Sequence, residues 1–278
     1  FFFTQTPAYE MLRSLVGSEM CIRDRFGDNE YRLLDRKESK WKSCIDQAAQ
    51  AGFNRIRAWL CPPEDSLLNS KSNRLDLGAW EGVEERLLFA LQRHPELQFE
   101  ISLFGADHDE LARYGDGEPN SHLRIRYAIE RFGPLPNVHW SIANDVPDSD
   151  STLNQAGVAV GQAISGNDPW NSLITATRPR FEPTAFGDQK FLSIQSVQSL
   201  GQVTGEAVIS ARATESKPVG LVEDRSEHIL EPRFPRYFFR RLFWGTLLSG
   251  GLPTYSGLDT AKSSDRGNTY ISGYYAVS

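Results

Sequence analysis

The chain has 278 residues, 40% of them hydrophobic and 11% aromatic, with a formal net charge of −6, which allows one large domain or two small ones around a sizeable core and excludes wholesale disorder. It carries no long basic run and no apolar run of spanning length, which argues against nucleic-acid and membrane partners. The three cysteines, Cys21, Cys44 and Cys61, make neither a disulfide framework nor a C-x-x-C pair, so Cys44 and Cys61 read as reduced structural thiols.

The first 25 residues differ in character from the rest of the chain. Both methionines, Met11 and Met20, fall within them. Back-translation of EMCIRD (19–24) gives a transposase mosaic end of the kind used in sequencing libraries. SLVG (14–17) fits the adapter before it, and AYE (8–10) a flow-cell primer read in frame. Residues 1–25 are expected to be translated adapter DNA and are set aside from the fold. The charges in that segment cancel, so the remainder still carries −6. On this reading the native N-terminus lies further upstream, which leaves localisation open, with a secreted or periplasmic protein compatible.

From residue 26 the sequence alternates between strand and helix patterns. Residues 40–50 place Trp41, Cys44, Ile45 and Ala48 at helical spacing, and Gly52 stops the helix. FNRIRAWL (53–60) reads as a strand and 79–93 as a helix with Val83, Leu87 and Leu91 on one side. Then come a strand at 97–104, a helix at 121–132 behind a serine cap, a strand at 137–144 and a helix at 152–165. Strands at 172–177 and 191–197, a helix at 202–215, a strand at 217–223, a helix at 235–249 and a strand at 252–257 complete the series. Repeated βα order predicts a mostly parallel sheet with helices outside it. Seven strands come after residue 50. The residues just before FGDN (26–29) would supply the eighth, where the adapter interrupts. The expected architecture is therefore an α/β, (β/α)8 barrel over 26–278, a fragment with strand one replaced or missing. A doubly wound sheet is disfavoured, since no G-x-G-x-x-G turn is present.

Functional side chains of such a barrel project from the C-terminal ends of the strands. Strand four ends at Asn144 and Asp145, strand seven at Glu223 and Asp224 with His228 beyond. Strand three leads to Asp107 and His108, strand six carries Gln195 and Gln198, and strand two offers Arg57 and Trp59. Carboxylates on opposite walls of one mouth suit glycoside hydrolysis. One must hold a proton for the leaving oxygen, while the other stays ionised to attack the sugar or activate water. No metal-ligand spacing and no G-x-S-x-G elbow compete with this, and no cofactor is called for.

Several segments strengthen that reading. GDNEYRLLDR (27–36), AGFNRIRAWL (51–60), RYAIERFGPLPNVHWSIAND (126–145), KPVGLVE (217–223) and RRLFWGTLLSGGLPTYSG (240–257) occur in that order. From 27 to 257 the chain resembles the apiosidase-like glycoside hydrolases and their relatives in the large retaining (β/α)8 clan. The resemblance implies that Asp145 is the general acid/base, Glu223 the nucleophile and Asn144 a donor to the sugar 2-hydroxyl. Asp28, Asp107, His108, Gln195, His228 and Trp59 are candidate sugar contacts. Trp170 and Trp244 are expected in packing. Two departures stand out. Most clan members carry Glu where this chain has Asp145, and Asp is shorter by about 1.5 Å. GDN replaces G-D-T, with Tyr31 where Trp is usual. The expected activity is retaining hydrolysis of a plant or algal polysaccharide or its side chains. A non-catalytic carbohydrate-binding barrel is the alternative, and the oligomeric state is left open.

Overall fold

The computed structural model describes residues 27–29, 33–34, 40–60, 67–69, 74–105, 108–179, 182, 184–198, 205–214, 216–223 and 235–255. Eight parallel strands form one sheet: β1 (Gly27–Asn29), β2 (Arg55–Trp59), β5 (Gln98–Phe104), β6 (Val138–Ala143), β7 (Ile174–Thr175), β8 (Gln195–Gln198), β9 (Val219–Glu223) and β10 (Gly251–Tyr255). A two-stranded antiparallel insert, β3 (Leu68–Asn69) with β4 (Arg74–Leu75), lies in the connection after β2.

The sheet order is β7-β6-β5-β2-β1-β10-β9-β8. Its two ends meet. Ser193 and Ile194 donate their amides to the Ile174 carbonyl at 2.8 and 3.2 Å, and the Thr175 and Ser196 hydroxyls lie 2.5 Å apart. The sheet is thus a (β/α)8 barrel. Position one is held by the three residues of β1, which register with β10 (Gly27↔Thr254) and with β2 (Gly27↔Arg55). That strand falls on Gly27–Asn29 itself rather than on the residues preceding it.

The helices are α1 (Trp41–Gln50), α2 (Leu77–Arg93), α3 (Asp109–Gly115), α4 (Pro119–Phe132), α5 (Ser151–Asn167), α6 (Glu206–Thr214) and α7 (Pro235–Leu248). The short α3 and the β3–β4 pair have no counterpart in the sequence reading, because neither is long enough to show a period. The serine cap expected for α4 is not its cap. Glu118 accepts from the Ser121 amide at 2.7 Å, Pro119 opens the helix, and Ser121 is buried inside the first turn.

Strand alternation sorts the two faces. Ile56, Ala58, Phe99, Ile101, Val138, Trp140 and Ile142 belong to the main apolar core, with Val83, Leu87, Ile125, Ile129, Val160 and Ile164 from the helices. On β8 and β9, Val197, Val219 and Leu221 pack with Val208, Phe239 and Leu242 of α6 and α7. Cys44 is a buried thiol in this core and is in no disulfide, as read from the sequence.

The connection from β7 to β8 contains no helix among the described residues. It is docked on α5 by aromatic rings. A Cβ at Gly157 would sit 2.5 Å from the Phe186 ring, and one at Gly161 2.4 Å from the Phe191 ring, so both glycines are notches that admit these rings. Lys217 ties the same loop down by donating to the carbonyls of Gly187 and Gln189.

The inside of the barrel holds a buried charged cluster above a small apolar layer of Ile194, Leu252 and Leu173. Arg55 and Arg57 of β2 flank Glu100 of β5, all 0–1% exposed: Arg55 Nη1 donates to Oε2 at 3.0 Å, and Arg57 Nε lies 3.2 Å from Oε1 as a charge contact rather than an aligned hydrogen bond. His139 Nε2 of β6 stands 3.5 Å from Oε2. Arg55 also donates to the Thr254 hydroxyl of β10. Gly220 of β9 faces Arg55, with its would-be Cβ 3.9 Å from Nη1. Burial pushes the Glu100 carboxyl up, but the Arg55 charge, the His139 contact and the Arg57 charge together outweigh it and hold the group at about 2.

Glu100→Gln strands two buried guanidinium groups. Unfolding in urea should show a loss of about 3–5 kcal/mol. Because the folded carboxyl lies below its ordinary value of 4.5, its stabilisation is present above pH 4.5 and lost as pH falls towards 2. The variant should therefore differ from wild type most at neutral pH, with the gap closing across that acid window. At the glycine notches, Gly161→Ala should cost about 1–3 kcal/mol through overpacking, read as a lower melting temperature.

Candidate functional site

All eight strands are parallel, so their C-terminal ends share one rim. The sharpest feature on that rim is the turn after β6. Asn144 is 3% exposed and Asp145 half-buried, and Asp145 has φ 54°, a left-handed backbone uncommon for a non-glycine residue. The turn is tied on several sides. The Asn144 amide donates to the Phe104 carbonyl at 3.1 Å. The Asp145 amide donates to Thr177 Oγ1 at 3.0 Å, and the Val146 amide to the Thr177 carbonyl at 3.0 Å.

Side chains complete the constellation. Arg57 Nη2 donates to Asn144 Oδ1 at 2.6 Å and to Thr177 Oγ1 at 3.2 Å. Gln198 at the end of β8 donates its amide to Asp145 Oδ1. His108, just before α3, lies with Nε2 3.1 Å from the Asn144 carbonyl. A carbonyl only accepts, so Nε2 carries the hydrogen in this contact. Asp145 is not the cap of the following helix. Asp150 holds that role, accepting from the amides of Thr152 and Leu153 at 3.0 Å each.

Glu223 ends β9. A bulge between Val197 and Gln198 brings Glu223 into register with Gln198, the residue whose side chain reaches Asp145. Adjacent strands lie about 4.8 Å apart. The backbone of Glu223 therefore stands one strand from a residue in contact with Asp145. The Glu223 side chain lies outside the described residues, as do Asp107, Asp224 and His228. Asp28 is described only as backbone, in register with Ile56 and Tyr255.

The other expected contacts fall elsewhere. Gln195 pairs with Val219, whose side chain packs against the helices, while its neighbour Ser196 meets Thr175 inside the barrel. Alternation turns Gln195 outward, where it is fully buried, so it does not reach the mouth. Gln198, three residues on and on the same face as Ser196, takes that place. Trp59 is 4% exposed, its ring within 3.4 Å of the position a Cβ on Gly105 would take, so it presents no open face for stacking. Trp170 and Trp244, expected in packing, are 43% and 57% exposed. Trp244 lines a groove of about 330 Å³ with Phe53, Phe243 and Leu247 on the outside of the barrel. Another groove, of about 610 Å³, lies between α5 and the β7–β8 loop, with Asn154, Arg178 and Phe186 in its lining. Among the described residues no three His, Cys, Asp or Glu side chains converge as a metal site.

Thr177 is not among the expected site residues, although it is the last residue of the strand expected over 172–177; β7 itself ends at Thr175, and Thr177 lies just past it.

No family model matches the chain, and no curated protein matches it in sequence. Its fold is similar to solved structures. These include a glycoside hydrolase family 5 protein from Bacteroides vulgatus ATCC 8482 (TM-score 0.68, 17% identity, 84% of this chain and 58% of that one). They include the hyperthermostable endo-1,4-β-D-mannanase from Thermotoga petrophila RKU-1 (TM-score 0.66, 14% identity, 88% and 92%). The endo-1,4-β-mannanase from Rhizomucor miehei is also similar (TM-score 0.66, 14% identity, 90% and 90%). At these identities the likeness is one of fold. The chain spans 58% of the length of the Bacteroides protein.

Replacing Asn144 with Leu leaves the buried Arg57 without its shorter acceptor. Chemical denaturation should register a loss of about 1–3 kcal/mol. His108→Ala, at the half-buried rim, should cost less than about 1 kcal/mol.

Proposed function

We propose that the chain is a retaining glycoside hydrolase in which Asp145 is the general acid/base and Glu223 the nucleophile. The observation that carries this reading is the turn at Asp145: a carboxylate on a left-handed backbone at the barrel rim, contacted by the strand neighbour of Glu223. Strained backbone held by surrounding contacts gathers at functional sites. The fold shared with family 5 glycoside hydrolases and mannanases supports the same reaction class.

The chemistry runs in two steps. The protonated Asp145 gives its proton to the glycosidic oxygen while the Glu223 carboxylate attacks the anomeric carbon. The bond from that carbon to oxygen breaks, and an ester to Glu223 forms. Asp145, now ionised, takes a proton from water, whose oxygen displaces Glu223. Oδ1 of Asp145 accepts from Gln198, and Oδ2 carries the mobile proton. His108 and Asn144 flank the site, His108 as a candidate contact for a sugar hydroxyl. The Asn144 amide group is engaged through Oδ1 by Arg57, and its NH2 donates to the 2-hydroxyl. Asp28, Asp107 and His228 complete the proposed contact set. The substrate is a plant or algal polysaccharide or its side chains, and the relationship proposed is to the apiosidase-like enzymes.

A second reading, a carbohydrate-binding barrel without turnover, draws on one feature: the acid/base position carries the shorter Asp. A carboxyl drawn back by about 1.5 Å can cost on the order of 10²-fold in rate.

The test is a panel of aryl glycosides of plant and algal sugars, with the anomer released followed by proton NMR. Retained configuration is expected, with the two carboxyl groups about 5–5.5 Å apart. Glu223→Ala should abolish turnover while leaving sugar binding within a few-fold by calorimetry. Wild-type turnover in Glu223→Ala would sink the assignment. Binding without turnover by wild type would select the second reading.

A further inference from the structure

We infer that Thr177 is a positioning residue that sets the proton donor, a role that rests on the reading of Asp145 as acid/base. Thr177 is fully buried and lies just beyond β7, the strand next to β6. Its hydroxyl uses its whole hydrogen-bonding capacity. Oγ1 accepts from the Asp145 amide at 3.0 Å and from Arg57 Nη2 at 3.2 Å, and donates to the Ala143 carbonyl at 3.4 Å. One hydrogen and two lone pairs allow just these three contacts. The Thr177 backbone adds two more, its amide to the Ala143 carbonyl at 3.3 Å and its carbonyl from the Val146 amide at 3.0 Å. The residues before, at and after the Asn144–Asp145 step therefore all bond to this one threonine.

That matters because Asp145 sits at φ 54°. For a residue with a Cβ this conformation is unfavourable and persists only when its surroundings over-determine it. An amide held by a buried hydroxyl is such a constraint. It points the Asp145 side chain towards Gln198 and the mouth, rather than along the path of an ordinary strand-to-helix turn. A shorter carboxyl leaves less tolerance for error than Glu would, so the backbone beneath it carries the positioning. The same hydroxyl holds Arg57, which holds Asn144. One side chain thus couples both rim residues to the charged interior.

Two variants test this. Thr177→Val keeps the shape and removes the oxygen; Thr177→Ser keeps the oxygen. Amide exchange at Asp145 reads the clamp without any substrate. It should accelerate about tenfold or more in Thr177→Val and stay near wild type in Thr177→Ser. Activity reads the consequence, with the 2,4-dinitrophenyl and phenyl glycosides of whichever sugar wild type accepts. The dinitrophenolate leaves without protonation, and phenolate needs the acid. Thr177→Val should lose about 10²-fold in kcat/KM, which reads the first step alone, on the phenyl glycoside and much less on the dinitrophenyl one, with rescue by Thr177→Ser. Wild-type amide protection in a folded Thr177→Val would overturn the clamp. Equal losses of kcat/KM on both leaving groups would overturn the positioning role and leave a structural one. If wild type turns over no glycoside of the panel, the glycosidase reading fails with the role that rests on it, and the exchange data still report separately on the clamp.

Discussion

The structure depends on one buried arrangement, the Arg55–Glu100–Arg57 cluster inside the barrel. Two guanidinium groups and one carboxylate are removed from water, at a desolvation cost of several kcal/mol per ion. Attraction at 3.0 and 3.2 Å offsets part of that. The rest must come from neutral partners, and these are drawn from strands all round the barrel: Thr254 of β10 for Arg55, Asn144 and Thr177 for Arg57. The charges therefore cross-link β2 to strands that are far apart in sequence. Most of the apolar packing lies on the outer face of the sheet, where the helices cover it.

Arg57 makes the connection to the rim. Its Nε faces Glu100 in the interior, and its Nη2 reaches the two residues that shape the turn at Asp145. A fixed charge below thus orients a neutral amide and a hydroxyl above, and those orient the carboxyl. Preorganisation of this kind suits a reaction that needs a proton donor placed to within a fraction of an ångström. Arg57, Glu100, Asn144 and Thr177 are all buried, so water does not compete for the hydrogen bonds that link them.

Most of the fold is legible in the sequence because βα alternation is a periodic signal. The helices over 41–50, 77–93 and 151–167 and the strands over 98–104 and 138–143 have strong patterns, and the expected ranges fall within a few residues of them. Short elements are not legible: α3 has seven residues, and β3 and β4 two each. The α4 cap is misread because a serine at the right spacing looks like a cap, while Glu118 acts from one residue before the proline. In the site, Asn144 and Asp145 can be read from a strand end. Expecting Gln195 rather than Gln198 at the mouth is an error of parity. The two residues are three apart, so alternation puts them on opposite faces, and the face that turns inward is marked by the Ser196–Thr175 contact, which no sequence pattern announces.

Trp59 and Thr177 carry the opposite lesson about residue type. An aromatic side chain near a barrel mouth invites a sugar-stacking role, yet the Trp59 ring is spent on Gly105, where the absence of a side chain lets it close. A threonine invites none, yet its hydroxyl is shared by a strand carbonyl, a turn amide and an arginine. The difference lies in what surrounds each position. The Trp59 ring meets an apolar neighbour and gains by burial, while the Thr177 hydroxyl meets three polar groups beneath the mouth that need partners there. A buried polar atom must find partners or cost a few kcal/mol, so the fold concentrates its geometric precision where such atoms meet. In this barrel that meeting point lies directly under Asp145. The constraint that stabilises the interior and the constraint that aims the carboxyl are therefore the same set of hydrogen bonds.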